Sequence, residues 1–254
     1  MEPPEEPENE LGLNTSIRTA LADSSPDGLS TALALAERLP PPETCRYPSV
    51  CAFALYDATL RLEAERKEWN RCLRDYSRVL DYEFPEDSLR ATSWYRIGVC
   101  SEELGDFGRA LLAYRRALPF GHAWPAVLAL TRFRLAGLLV AAEEYEEAAA
   151  CLQELNRQLP VAELPEAKVR LLWARCLLRV GRPAEAESAL KEIRDVAPSS
   201  PEAWAAESLL ADLYERSGRP RYAVETYRRI LKSASASPLL RSAALHRLEI
   251  LEGR

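Results

Sequence analysis

Chemistry at neutral pH draws first on histidine and cysteine, and this chain of 254 residues holds two of the former and six of the latter. His122 lies in the segment FGHAWPA and His246 in SAALHRLEI, more than a hundred residues apart. The cysteines are Cys45, Cys51, Cys72, Cys100, Cys151 and Cys176. None forms a C-x-x-C pair and neither histidine lies near two of them, so zinc-ligand spacing is absent. Cys45 and Cys51 flank a proline-containing loop and are the two placed to pair locally as a disulfide. Free thiols are nonetheless the favoured reading, because a chain of this length can build a core without covalent staples. Glu143, Glu144, Glu146 and Glu147 form a carboxylate run around a turn, where a solvated face favouring a helix N-terminus accounts for them. Catalytic carboxylates need a burying pocket, which nothing in the pattern announces. No Gly-rich phosphate loop, nucleophile elbow or histidine-pair metal motif is present. The expectation is a non-catalytic chain without cofactor or metal.

Charge narrows the partner class. The formal net charge is −6, but the first ten residues, MEPPEEPENE, hold five of the 39 acids and no base. The rest carries 34 acids against 33 bases. A nearly neutral body does not present the basic surface that nucleic acid requires, and Arg115, Arg116, Arg228 and Arg229 are scattered rather than grouped. The chain is 47% hydrophobic and 28% charged, enough to bury a core, and contains no apolar run of 18 residues that would span a membrane. The Pro/Glu-rich opening lacks the basic and apolar regions of a secretory signal and reads as a solvated, disordered tether over residues 1–12. A cytoplasmic location is expected of the chain as written, or a bacterial envelope location if a signal or anchor was removed.

What positions these residues is a repeat. Prolines recur at Pro40–Pro42, Pro85, Pro119 and Pro125, Pro160 and Pro165, Pro198 and Pro201, and Pro238. Helices stop at such breaks, and between them lie two amphipathic stretches joined by a short turn. The small residue of each second stretch is the ruler: Ala32, Cys72, Ala110, Ala148, Ala186 and Ala223, at intervals of 40, 38, 38, 38 and 37. The segment WYRIGVCSEELGDFGRALLAYRRAL at 94–118 shows the frame best. Trp94, Ile97 and Gly98 precede the turn Gly105-Asp106; Ala110, Tyr114 and Ala117 follow it. Six copies at near-constant spacing predict a stack of helix pairs.

On these residues the chain resembles the tetratricopeptide repeat family, whose pattern is Trp–x2–Leu–Gly–x2–Tyr followed by Ala–x3–Phe/Tyr–x2–Ala. The unit at 94–117 departs from it at Ser101, where an aromatic is usual. The resemblance implies an all-α fold: a right-handed α-solenoid of antiparallel helix pairs closed by a C-terminal capping helix. Six repeats are expected over 13–236, starting near 13, 53, 91, 129, 167 and 204, with the capping helix at 237–254 and Leu245, Leu248 and Leu251 on its apolar face. In linker length and composition the chain is similar to the tetratricopeptide domains of bacterial envelope proteins.

The resemblance also implies where a partner would bind, because first helices line the concave groove of that family. The expected groove residues are Arg61, Tyr95, Val99, Leu130, Phe133, Val140, Leu171, Arg175 and Leu178. Apolar side chains form the floor, and Arg175 anchors an acidic group. The other reading of Phe133 and Val140 is burial against neighbouring first helices. The family's clamp for C-terminal carboxylates needs asparagine on successive first helices, which Asn9, Asn14, Asn70 and Asn156 do not supply. The expected partner is another protein or peptide segment, engaged by a scaffold or adaptor within a bacterial multiprotein assembly. A homo-oligomerising scaffold is the alternative, and an RNA-binding helical repeat the third.

Overall fold

Proline and short polar caps decide where the helices begin. The computed structural model describes residues 9–83, 86–162 and 164–253, which contain thirteen α-helices, two short 3-10 turns and no strand. The chain divides into two compact units, one ending at Thr131 and the other starting at Arg132. The first holds α1 (Glu10–Ala22), α2 (Pro26–Glu37), α3 (Pro48–Arg66), α4 (Trp69–Asp81), α5 (Asp87–Glu103) and α6 (Phe107–Ala117). α7 (Pro125–Ala141) contains the boundary. The second holds α8 (Tyr145–Asn156), α9 (Glu166–Arg179), α10 (Pro183–Val196), α11 (Pro201–Arg216), α12 (Pro220–Lys232) and α13 (Pro238–Glu252).

Seven of these helices open on proline, which lacks the N–H that a first turn cannot use. The side chains of Ser25, Ser200 and Ser237 accept the N–H groups of Gly28, Ala203 and Leu240, and Asp106 accepts that of Arg109. The turns after α5, α9 and α11 pass through Gly105, Gly181 and Gly218 with φ of 77°, 76° and 67°. Lys67 (φ 53°) and Glu143 (φ 61°) make the same left-handed step after α3 and α7, without the glycine that would advertise it.

In the first unit α1 packs on α2, α3 on α4 and α5 on α6, and contacts of α2 with α3 and α4 with α5 join successive pairs. In the second, α9 packs on α10 and α11 on α12, with α8, α10 and α12 each meeting the helix that follows. Each unit is a run of stacked helix pairs with neighbour-to-neighbour contacts, the solenoid that the periodicity predicts. All six ruler residues are completely inaccessible. They let second helices approach closely, and rings such as Tyr76, Tyr114 and Tyr227 fill the adjoining space. Ser101, the departure from the family pattern, is buried and donates its hydroxyl to the Ile97 carbonyl at 2.8 Å, so the polar atom is satisfied within its own helix.

The same polar link occurs in each unit. Tyr76 on α4 donates to Glu63 on α3 at 2.7 Å, and Arg96 on α5 donates to the same carboxylate at 2.8 Å. Tyr227 on α12 donates to Glu215 on α11 at 2.6 Å, and Arg247 on α13 donates to it at 3.2 Å. Each carboxylate ties its own helix pair to the next helix. Burial, reinforced by the neighbouring carboxylate, raises both tyrosine hydroxyls above their ordinary range.

Three expectations need correction. The first helices begin at 10, 48, 87, 125, 166 and 201, one to five residues ahead of the apolar pattern, because their opening turns are polar or proline-led. Residues 10–12, assigned to the tether, form the first turn of α1, while residues 1–8 lie outside the described residues. Asn9 caps that turn by accepting the Gly12 N–H, and the Glu10 carboxylate accepts the N–H groups of Arg46 and Tyr47 at 2.8 and 2.6 Å, fastening α1 to the start of α3. On α13, Ala244 and Leu248 are buried and Leu251 packs on the core, but Leu245 is exposed, since the buried stripe runs through 244 and 248 instead.

Candidate functional site

First helices of the first unit bring an aromatic wall around one acid. Phe53, Tyr56, Asp57 and Leu60 fall at i, i+3, i+4 and i+7 along α3, on one face. Ser88, Leu89, Thr92, Tyr95 and Arg96, at i, i+1, i+4, i+7 and i+8, likewise share one face of α5. Trp124, just ahead of α7, joins Val127 and Leu130, and together these residues line a cavity of about 420 Å³. Trp124 is held by the 3-10 turn Leu118–Ala123, donating its N–H to the Gly121 carbonyl at 3.1 Å. A Cβ at Gly121 would fall 2.5 Å from Leu128, so only glycine lets this turn press so closely on α7.

Two large apolar side chains of the wall face solvent: Phe53 is 38% exposed and Trp124 is 50% exposed. Tyr56 and Tyr95 stack on the core rings of Tyr76 and Tyr114, with centroids 5.5 and 6.0 Å apart, which fixes their orientation. The polar atoms of the wall differ in how far they are committed. Thr92 donates to the Ser88 and Leu89 carbonyls, and Arg96 is engaged by Glu63 while lying 5.7 Å from the Tyr95 ring centre. Asp57 is half-buried and has no hydrogen bond or ion pair among the described residues. Burial raises its carboxyl above the ordinary range, and the charge of Arg18 on α1 opposes that rise.

The second unit has its own concavity, about 440 Å³, lined by Arg175 of α9, Trp204, Ser208 and Leu209 of α11, and Ser235, Ser237 and Leu240 around the start of α13. The Trp204 indole donates to Ser235 at 3.2 Å. Arg175 is exposed and has no hydrogen bond or ion pair among the described residues.

The residues expected to line the groove separate accordingly. Tyr95 and Leu130 line the first cavity and Arg175 the second. Leu178 lines a smaller hollow of about 340 Å³ with Pro183 and Leu209, and Phe133 and Val140 are half-buried. Val99 and Leu171 are each only 7% exposed and, unlike the similarly buried Tyr95, border none of these cavities. α5 is buried nearly all round from Leu89 to Ser101, and Leu171 belongs to the second unit's core with Ala174 and Leu190. Arg61 is occupied as well: its guanidinium donates to the Leu21 carbonyl at 2.9 Å and the Ser25 carbonyl at 3.1 Å, closing the end of α1. Phe53, Tyr56 and Trp124 were missing from the expected set. A bulky aromatic directly before a helix-opening proline was the available signal for Trp124.

Cys45 and Cys51 are free thiols with sulfurs 3.0 Å apart, and Glu10 lies beside them. That trio is the one grouping of potential metal donors among the described residues. It does not suit an ion: tetrahedral zinc bonds of about 2.3 Å hold two sulfurs roughly 3.7 Å apart, and both Glu10 oxygens already accept backbone N–H groups. His122 is exposed, 3.4 Å from Asp87, and borders none of these cavities.

A sequence model of the tetratricopeptide repeat matches residues 54–126 and 171–238, more than half of the chain, and the chain belongs to that family. No curated protein sequence matches it. Among solved structures it is similar to YrrB, described as a tetratricopeptide repeat protein with an unusual peptide-binding site. That match has a TM-score of 0.60 and 21% identity, covering 77% of this chain and 91% of YrrB. It is also similar to MamA (41-end) from Desulfovibrio magneticus RS-1, with a TM-score of 0.53 and 16% identity over 70% of this chain and 92% of that one. No helix among the described residues is long and apolar enough to cross a membrane.

Proposed function

We propose that this chain is a non-catalytic interaction scaffold that holds a protein or peptide segment against its first helices. The observation that carries this reading is the first-unit cavity, where exposed Phe53 and Trp124 stand at the rim of a concavity backed by fixed tyrosines. Solvent-exposed aromatic side chains beside a pocket are the usual makings of an interface anchor. Family membership supports it, since tetratricopeptide domains typically bind protein or peptide partners. So does the shared fold with YrrB, itself a peptide binder. The second-unit concavity, with Arg175 unpaired beside three serines, suits an acidic side chain of the same kind of partner.

A second reading is self-association, favoured by α13, where Leu239 is 82% exposed and Leu245 and Ile250 are about half exposed. The test is affinity capture from native lysate with the wild-type chain and with Phe53→Ala/Trp124→Ala, both checked for helical content. A protein retained by the wild type and lost by the variant supports the docking role. Identical retained sets overturn it. Sedimentation equilibrium at micromolar concentration, showing twice the 28.5 kDa chain mass and reverting with Leu239→Glu, would favour the second reading.

A further inference from the structure

We infer that the first-unit cavity takes a basic side chain, lysine or arginine, from an extended protein segment, with Asp57 as counter-ion and aromatic rings as walls. The inference rests on the docking reading above and names the chemistry of its partner.

A half-buried carboxylate costs free energy unless something pairs with it, and folded chains ordinarily supply the partner themselves. Here the chain does so for the neighbouring acid on α3: Glu63 receives both Tyr76 and Arg96. Asp57 receives neither a hydrogen bond nor an ion pair among the described residues, although it lines an open cavity. Its raised carboxyl records that missing compensation, and Arg18 acts on it only through its charge.

Phe53, Tyr56, Tyr95 and Trp124 line the same space. Aromatic faces attract cations and repel carboxylates, so four rings and an acid together select for positive charge. Arg96, the cation in the wall, does not fill the role, because Glu63 already neutralises it and it lies beside Tyr95. A long side chain with an apolar stem suits this lining, the stem lying along the rings while its charged head reaches Asp57. The volume of about 420 Å³ leaves room for backbone flanking that side chain.

The experiment uses the full chain, labelled with 15N, and follows the indole N–H of Trp124, assigned with Trp124→Phe. Probes are the capped peptides Gly-Gly-Xaa-Gly-Gly with lysine, arginine, norleucine or glutamate at the centre. The lysine and arginine peptides should shift Trp124 saturably and bind roughly tenfold tighter than the norleucine peptide. Asp57→Asn should lose about that factor for lysine while its thermal midpoint stays equal to or above that of the wild type. A structurally required aspartate would lower the midpoint instead. Equal affinity for norleucine and lysine, or full lysine affinity in Asp57→Asn, overturns the basic-side-chain inference while leaving the docking role intact, since Trp124 still responds. Silence of Trp124 to every peptide overturns both.

Discussion

The packing of α5 against α6 can be tested at one glycine. A Cβ added to Gly98 would stand 2.3, 2.6 and 2.7 Å from Cε1, Cδ1 and Cζ of Tyr114. Ordinary contact begins near 3.4 Å, so the ring would have to retreat by about 1 Å. It has nowhere to go: Tyr114 is fully buried, its hydroxyl donates to Glu102, and Tyr95 lies 6.0 Å away on the same side chain cluster. Overpacking of this kind costs about 1–3 kcal/mol, and a clash with an immobile ring belongs at the upper end. Against it, replacing a mid-helix glycine by alanine gains about 1 kcal/mol. The net expectation for Gly98→Ala is a loss of about 2 kcal/mol, which at a urea slope of about 2 kcal/mol/M lowers the midpoint by roughly 1 M. Gly137, inside α7, has nothing within 4 Å of the same added atom, so Gly137→Ala should raise the midpoint by a few tenths of a molar unit. The assay is urea unfolding followed by circular dichroism at matched protein concentration. Adding Tyr114→Leu to Gly98→Ala should recover at least ~1 kcal/mol relative to the sum of the single changes. Equal midpoints for the two glycine variants, or strict additivity in the double variant, would refute the close approach of these helices.

Acid should weaken the second unit through Glu187. Its hydrogen bond from Arg219, then that from Lys191, outweigh burial and lower its carboxyl from 4.5 to about 2. The folded chain therefore binds this proton less readily than the unfolded one, and the stabilisation is complete above about pH 5 and fades as pH falls towards 2. Urea midpoints at pH 5, 3.5 and 2.5 should decline less steeply in Glu187→Gln, and an unchanged slope would count against the link. Cys45 and Cys51 should form one intramolecular disulfide with oxidised glutathione, losing two hydrogens as two equivalents of reduced glutathione are released. Burial raises both thiols, so the rate should climb roughly tenfold per pH unit from neutrality. Peptide mapping that finds Cys45 and Cys51 in separate mixed disulfides would exclude the pairing.

How much of this was legible depended on whether a residue answers to its own helix or to a distant one. The ruler from Ala32 to Ala223 was readable because every copy faces the same constraint, a close helix crossing, and all six proved inaccessible. Glycine marked the turns at 105, 181 and 218, but Lys67 and Glu143 adopt the same left-handed geometry with no compositional signal. Trp124 lies between α6 and α7 in the segment FGHAWPA, and its place at the cavity depends on Gly121 yielding to Leu128 across the 3-10 turn. Arg61 had the position of a groove residue on its helix, yet it spans about forty residues of sequence to close α1. Contacts of that range leave no periodic trace in a sequence.

The charged residues of the first helices accordingly divide into two kinds. Glu63, Arg96, Glu215 and Arg61 are consumed in holding neighbouring helices together, through tyrosine hydroxyls, guanidinium groups and helix-end carbonyls. Asp57 and Arg175 border cavities and have no such partner among the described residues. Removing one member of a buried pair strands the other charge, so substitutions of the first kind should lower stability and binding together. Substitutions of the second kind remove a desolvation cost or a solvated charge and should lower binding alone. Surface charge on a helical repeat therefore indicates a binding site only after the charges that join repeat to repeat have been set aside.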